Sequence, residues 1–322
     1  MAAGHEVTLF ATGDSKLPGC RIEALEPTAI WPPEPYAELS HAAWAIARII
    51  LRAEEFDVIH AHVPSALALA EFAGLPMVYT LHHEHDDALL RYYEHRRGLF
   101  TPVAISRRQR QFLFGREDCE VVHHGLEVSR YPVGPGGEGV AFLGRLAPEK
   151  GPHLAIDAAR MAGRRIRLGG KPHWNDHLYY EQEIEQREAH DPDVELLGEL
   201  GHEAKCELLG SSAATLCPIQ WEEPFGLVLI ESMLCGTPVV AFARGAAPEV
   251  IDPGVTGFLA RDASEMARLL RDEIPRFDRR ACRARATQRF SRERMVRDYL
   301  AIYERLAHRV SRSEDHVVFS QP

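Results

Sequence analysis

An α/β fold with parallel sheets, in two similarly wound halves, is the architecture this sequence predicts, and three observations predict it. Apolar, β-branched runs of strand length alternate with helix-length amphipathic segments along the chain, the pattern of strands joined by crossover helices. The chain has 322 residues, 45% of them hydrophobic, enough for two domains with separate cores. There is also an internal echo. GLPMVYT at 74–80 and GTPVVAF at 236–242 each run from a helix-ending glycine through a proline into a buried strand.

In the first half, HEVTLFAT (5–12) reads as a strand and YAELSHAAWAIARIILRAE (36–54) as an amphipathic helix. DVIHAH is a strand, SALALAEFA a helix and LPMVYTLHH (75–83) a strand again. TPVAIS, a helix over RRQRQFLF (107–114) and a strand in CEVVHHG (119–125) complete this half. VGPGGEG at 133–139 is rich in Pro and Gly and is expected to link two strands and two domains. It lacks the Lys-Ser/Thr ending of a phosphate loop and precedes a strand rather than a helix. The second half restarts with VAFLGRL as a strand, GPHLAIDAARMAG as a helix and RRIRLGG as a strand. DVELLGEL, KCELLGSS, ATLCPIQ and TGFLAR continue the alternation. Residues 291–308 carry apolar positions at helical spacing (Met295, Val296, Tyr299, Leu300, Ile302, Tyr303, Leu306). Domains are therefore expected over 1–135 and 136–290, with a closing helix over 291–308 and a frayed tail over 309–322.

Composition narrows the function classes. A net charge of −10 argues against a generic polyanion binder. No apolar run reaches the ~18–20 residues that span a bilayer, and MAAGHEVTLF has no signal-peptide pattern. The six cysteines (20, 119, 206, 217, 235, 282) show no C-x-x-C spacing and read as reduced, mostly buried thiols of a cytoplasmic protein.

The chemistry concentrates in EEPFGLVLIESMLCGTPVVA, residues 222–241. Pro224 suits a first helical turn, the helix stops at Gly236, and VVAF follows as a strand. Glu223 then precedes the helix and Glu231 lies about two turns inside it, roughly 10 Å away at 1.5 Å per residue. That is about the reach of a sugar diphosphate from hexose to ribose, and the helix start between the carboxylates suits a diphosphate. A second segment, GRLAPEKG at 144–151, follows a strand and places Arg145 and Lys150 at the carboxyl edge of a parallel sheet, where open α/β folds bind ligands. Without a metal, a departing nucleoside diphosphate needs such cations.

Together, the E-x7-E unit with its following G-T-P-V-V and the G-R-x-x-x-x-K-G segment resemble glycosyltransferase family 4, the retaining glycosyltransferases of GT-B fold. The resemblance covers residues 4 to about 308. It implies two Rossmann-like domains facing a cleft and the transfer, with retention and without metal or other cofactor, of a hexose from a nucleotide sugar. A UDP-sugar is favoured over GDP- or ADP-sugars, and the acceptor is a small molecule, glycan or lipid. The closing helix is implied to cross back onto the N-terminal domain.

Residue by residue, Gly144, Arg145 and Lys150 are implied at the diphosphate, and Gly169 and Gly170 of RLGGKPH where the backbone approaches the nucleotide. Glu231 would bond the ribose hydroxyls, since a carboxylate accepts from two vicinal OH groups. Glu223 would bond the hexose, with the N–H groups of Phe225, Gly226 and Leu227 beside it. His82, at the end of a first-half strand, would bond a sugar hydroxyl or help the acceptor lose its proton. In a front-face mechanism the leaving phosphate oxygen takes that proton, so no nucleophile is required.

ARGAAPEVI (243–251) resembles the family's G-G-x-P-E segment with Ala246 at the second glycine, and Glu249 is expected to brace its surroundings. His60 and His62 have a structural or an acceptor-side reading. HHEHDD (82–87) looks like a metal site, but its adjacent ligands cannot converge. The basic and aromatic run at 91–116 is expected to be an ordinary amphipathic helix rather than a membrane patch. In the resembled family G-H-E-V-x-L-F is a second strand, preceded by a strand, a glycine-rich loop and a helix. The chain starts at the end of those elements, either because its start is assigned late or because the product is truncated; a real truncation would imply an unstable first domain and little activity. Two rival readings are a same-fold enzyme using phosphate or water as acceptor (phosphorylase- or epimerase-like), and a non-catalytic nucleotide-sugar-binding protein.

Overall fold

The protein is described from a computed structural model over residues 3–30, 34, 36–113, 119–172 and 175–314. By contacts the chain divides into two compact units. The first takes in residues 1–103, 117–120 and 301–322, the second 104–116 and 121–300.

In the first unit, β1 (Thr8–Phe10) and β2 (Arg21–Glu23) form a parallel pair of their own. A separate four-stranded sheet has the order β3 (Ile59–Ala61), β4 (Met77–Thr80), β5 (Thr101–Ala104), β6 (Glu120–Val121), with β3, β4 and β5 parallel. The helix Ala37–Ile50 buries Ala42, Ala45, Ile46 and Ile49, the i, i+3, i+4, i+7 face its sequence encodes. SALALAEFA is not an α-helix: Pro64–Phe72 is a 3-10 helix. Its buried Leu67 and Ala70, with Ala73 just beyond, recur every third residue, which stacks them on one ridge only at three residues per turn.

The second unit carries a six-stranded parallel sheet. Its strands are β7 (Val140–Leu143), β8 (Ile166–Gly169), β9 (Val194–Gly198), β10 (Thr215–Cys217), β11 (Val239–Phe242) and β12 (Gly257–Ala260). The spatial order is β12-β11-β10-β7-β8-β9, so the winding reverses between β7 and β10, the doubly wound arrangement. The strands are sequestered on both faces: Val140, Leu168, Leu216, Val239 and Val240 are fully buried, as parallel strands under crossover helices must be.

VGPGGEG lies between β6 and β7, after a 3-10 turn (Val128–Arg130). It is not a loose tether. The Gly134 N–H donates to Cys235 O (3.1 Å) and the Gly136 N–H to Gly210 O (2.9 Å). A Cβ on Gly134 would lie 2.2 Å from Gly210 O, so the glycine is there for close packing. The closing helix runs Arg292–Glu314, beyond the expected 308, and counts with the second unit to Leu300 and with the first from Ala301. Residues 114–118 of the basic run and 315–322 of the tail lie outside the described residues.

No helix among the described residues is long and apolar enough to cross a membrane. All six cysteines are free thiols, five of them buried.

Candidate active site

Open α/β sheets bind ligands beyond the carboxyl ends of their strands, where the winding reverses. In the second unit three segments leave the sheet there: GRLAPEKG after β7, Gly170-Lys171 after β8, and Pro218–Gly226 after β10. They are fastened to one another by main-chain contacts. The Gln220 N–H donates to Glu149 O (2.8 Å) and its side-chain amide to Pro148 O (3.0 Å). The Gly144 N–H bonds Gly169 O (3.0 Å), and a Cβ on Gly170 would stand 1.9 Å from Gly144 O. The second glycine of RLGG is thus demanded by the approach of two backbones. Lys171 points away into an exposed ion pair with Glu199 (2.7 Å).

On this frame sit two lysine–carboxylate pairs. The Lys150 ammonium is ion-paired with Glu223 Oε2, both side chains mostly buried. The Trp221 indole N–H donates to the same oxygen at 2.9 Å, and Lys150 Nζ stands 5.0 Å from the centroid of the Trp221 ring, within cation–π range. Beneath them, burial pushes the Cys217 thiol up to about 12, so it stays protonated.

At the other carboxylate, Lys205 Nζ (3.0 Å) and the Tyr131 hydroxyl (3.2 Å) both donate to Glu231 Oε1. Burial, followed by the Glu231 charge, drives the Tyr131 phenol above its ordinary value, so it remains a donor. Arg145 joins neither pair; it is half-exposed and bound to Glu149 on its own loop (2.8 Å).

The helix between the carboxylates begins three residues later than its sequence suggests, at Leu227 rather than Pro224. Gly226 has φ 84°, a left-handed conformation that no helical residue takes, and the Pro224 carbonyl is held by the buried Ser106 hydroxyl (2.6 Å). Glu231 is therefore one turn into the helix, not two. The helix ends as expected, with Gly236 at φ 75°. Phe225 is buried, whereas Leu227 is half-exposed. At the helix start the Leu229 N–H bonds Gly226 O (3.0 Å), while the first N–H groups of any helix lack an intrahelical partner.

Ala246 fits without distortion, because the positive φ falls on Gly245 (55°). A Cβ there would lie 2.5 Å from Glu223 N and O, and the Ala246 N–H bonds Glu223 O (2.9 Å). Glu249 caps the helix Arg107–Leu113 by accepting the N–H groups of Arg107 (2.9 Å) and Arg108 (3.1 Å), and it also bonds His123 Nε2 (2.5 Å). Burial raises its carboxyl, but these hydrogen bonds outweigh burial and hold it below the usual range. It is a bracing residue, as its sequence context suggests.

His82, in the first unit, lies just beyond the carboxyl end of β4. Its Nε2 is 3.0 Å from His62 Nδ1, and His60 is bonded to Tyr303 OH (2.5 Å) and Thr80 Oγ1 (2.7 Å). Burial, then the neighbouring imidazoles, pushes His60 down to about 3 and His82 to about 4. Both are neutral imidazoles at neutral pH. The HHEHDD run disperses: His83 bonds Tyr93 OH (2.6 Å), His85 bonds Asp87 (2.9 Å), and Asp86 caps the helix Asp87–His95. Among the described residues, no group of three or more His, Cys, Asp or Glu is placed to hold a metal ion.

Sequence reading missed Trp221, Lys205 and Tyr131. Trp221 adjoins the E-x7-E unit and could have been singled out as its aromatic neighbour. Lys205 and Tyr131 are 26 and 100 residues from Glu231, and only the fold brings them to it.

Comparison with known proteins places the chain in a family. Residues 1–130 match the model of Glycosyltransferase Family 4 and residues 133–284 that of Glycosyl transferases group 1. A glycogen synthase of Mycobacterium tuberculosis is 29% identical over 282 residues, 76% of this chain and 65% of that one. The chain thus spans slightly less than two thirds of that relative's length. A D-inositol 3-phosphate glycosyltransferase of Mycobacterium bovis is 35% identical over 134 residues, 37% of this chain and 25% of that one. Among solved structures, Anabaena Alr3699/HepE in complex with UDP superposes with a TM-score of 0.72 at 25% identity, over 90% of this chain and 87% of that one. Sucrose-phosphate synthase from Thermosynechococcus elongatus shares the fold, with a TM-score of 0.76 at 21% identity over 95% of this chain and 90% of that one. With both halves matched in sequence and its parallel α/β architecture shared with these structures, the chain belongs to the family 4 glycosyltransferases of GT-B fold.

Proposed function

We propose that this protein transfers a hexose from a nucleotide-diphosphate sugar, a UDP-sugar in the first instance, to an acceptor hydroxyl with retention and without metal. The observation that carries the reading is the pair of lysine-held carboxylates, Lys150–Glu223 and Lys205–Glu231, flanking a helix start at the switch point of the second sheet. The similarity to a structure solved with UDP supports the choice of base.

In this reading Lys150 exchanges its contact with Glu223 for the diphosphate, neutralising charge as the bond from C1 to the phosphate oxygen breaks. Arg145 leaves Glu149 to add a second cation, and the close approach of Gly144 and Gly170 shapes the floor beneath the nucleotide. Gly169 would likewise bring its backbone toward the nucleotide, and it is also needed for packing, since a Cβ there would meet Leu200 at 2.7 Å. Glu223 accepts from hexose hydroxyls, with the N–H groups of Phe225, Gly226 and Leu227 beside it, and Glu231 accepts from the ribose. The acceptor oxygen bonds to C1 on the face the phosphate leaves, and its proton passes to the leaving phosphate oxygen. His82, as a neutral imidazole, serves as a hydrogen-bonding partner of a sugar hydroxyl rather than as an acid.

Thermal-shift titration with UDP, GDP and ADP tests the donor class. A rise in Tm with UDP that Lys150→Ala diminishes is the expected result, and no shift with any of the three would overturn the reading. Release of UDP from a UDP-hexose, with and without added inorganic phosphate, then separates transfer from phosphorolysis.

A further inference from the structure

The Lys205–Glu231 contact has a feature that Lys150–Glu223 lacks. Lys205 lies in the first turn of the helix His202–Gly210, which follows β9, and not on the segments that leave β7 and β8. Both donors that reach Glu231, the Lys205 ammonium and the Tyr131 hydroxyl, use the same oxygen, Oε1. Each is itself anchored. The Arg283 guanidinium donates to Tyr131 O (2.5 Å) and Val128 O (2.8 Å), and the Tyr131 ring packs edge-on against His202 at 5.0 Å. His202 Nε2 is 2.9 Å from Arg130 O, so the helix that carries Lys205 is tied to the segment that carries Tyr131. The Glu231 side chain is only 12% exposed, and its carboxylate cannot reorient without leaving two donors unsatisfied.

We infer that Lys205 and Tyr131 are positioning residues that lock Glu231 through Oε1 and so reserve Oε2 for the two vicinal hydroxyls of a ribose, making the site selective for ribonucleotides over 2′-deoxyribonucleotides. The inference rests on the reading of Glu231 as the ribose-binding group and adds what fixes its geometry. A carboxylate free to rotate can meet a single hydroxyl nearly as well as two. One held by Oε1 presents its remaining lone pairs in one direction, and a ligand lacking the 2′-hydroxyl leaves a charged acceptor underused. A hydrogen bond to a charged group of this kind corresponds to about tenfold or more in affinity.

Calorimetric titration of the whole chain with UDP and with 2′-deoxy-UDP tests this. Wild type is expected to prefer UDP by about tenfold. Lys205→Met, and more weakly Tyr131→Phe, should erode the preference by weakening UDP while leaving 2′-deoxy-UDP nearly unchanged, and Lys205→Arg should restore it. A merely structural lysine would weaken both nucleotides alike and would leave their ratio intact; that result overturns the inference. The underlying reading fails separately: if wild type does not discriminate between the two nucleotides, or if Glu231→Gln leaves the preference intact, Glu231 does not hold the ribose and the inference falls with it.

Discussion

The two carboxylates of residues 223–231 are built alike and tied down differently. Each is met at one oxygen by a lysine and by an aromatic donor: Lys150 and Trp221 at Glu223, Lys205 and Tyr131 at Glu231. The difference lies in where the lysines come from. Lys150 stands on the segment after β7, at the carboxyl edge of the sheet, and in the proposed function its bond to Glu223 is exchanged for the diphosphate. Lys205 comes from the helix His202–Gly210, which follows β9. In the function proposed above, the first pair is exchanged when donor binds and the second persists. If the proposal holds, two ion pairs of similar composition serve opposite ends, one storing a cation for catalysis and the other fixing an acceptor's direction.

The sharpest way to break this comparison is to remove Lys150. If its cation is spent on the departing diphosphate, Lys150→Ala lowers kcat by about 100-fold or more, the scale of removing one preorganised charge from a transition state, with a smaller change in KM for the UDP-sugar. Steady-state kinetics decide it. A variant that raised KM alone would place Lys150 in ground-state binding and would make the two pairs equivalent. Glu231→Ala is expected to do the reverse, raising the nucleotide KM by about tenfold with kcat little changed. Equal losses of kcat and kcat/KM in that variant would mean that Glu231 is engaged only in the transition state.

Much of this was legible in the sequence, and the limits were physical. Strand–helix alternation revealed the parallel sheets, because period and apolarity are local properties of the chain. GRLAPEKG and the E-x7-E unit marked the loops after β7 and β10, because chemistry at a sheet edge concentrates in short turns. The helix start after Glu223 was misplaced because Pro224 suits a first turn, while Gly226 at positive φ and the hold of Ser106 on Pro224 O are tertiary facts. The close packing of Gly134 was not legible in 133–139, since a glycine needed for close packing and one needed for flexibility look the same in one dimension. Lys205 and Tyr131 were invisible for a similar reason: their meaning lies wholly in what folds against them.

The first unit offers a contrast in how titratable groups are housed, with a consequence in acid. In the second unit the carboxylates are paired with lysines, whereas His60 is half-buried and neutral, bonded to Tyr303 and Thr80. Its folded pKa is about 3 against an ordinary 6.5. Between those values the unfolded chain binds the proton that the folded chain refuses, so this contribution to stability is fully present above pH 6.5 and is lost progressively as pH falls below it. The slope approaches about 1.4 kcal/mol per pH unit for one such group. Calorimetric unfolding near about pH 5.5, in buffers of different ionisation enthalpy, counts the protons taken up. Uptake approaching one proton or more is expected, and His60→Gln should reduce it. No uptake in wild type would mean that the imidazole is charged in the folded protein.

Arg145 gives the smallest effect on stability and sharpens the comparison most finely. It sits five residues before Lys150 on the same loop, yet its partner is Glu149 at the surface, with side chains 45% and 32% exposed. A pair this open to solvent contributes about 0–1 kcal/mol, so Arg145→Gln should shift Tm by no more than a few degrees for a chain of this size. Its kinetic effect is the informative one. If Arg145 turns to the diphosphate when donor binds, kcat/KM falls while Tm holds, and the loss shrinks at high ionic strength as salt screens the exposed charge. Lys150, mostly enclosed with Glu223 and Trp221, should show much less salt dependence. Equal salt dependence for the two variants would mean that both cations act through bulk solvent, and the distinction between a stored and an exposed charge would have to be abandoned.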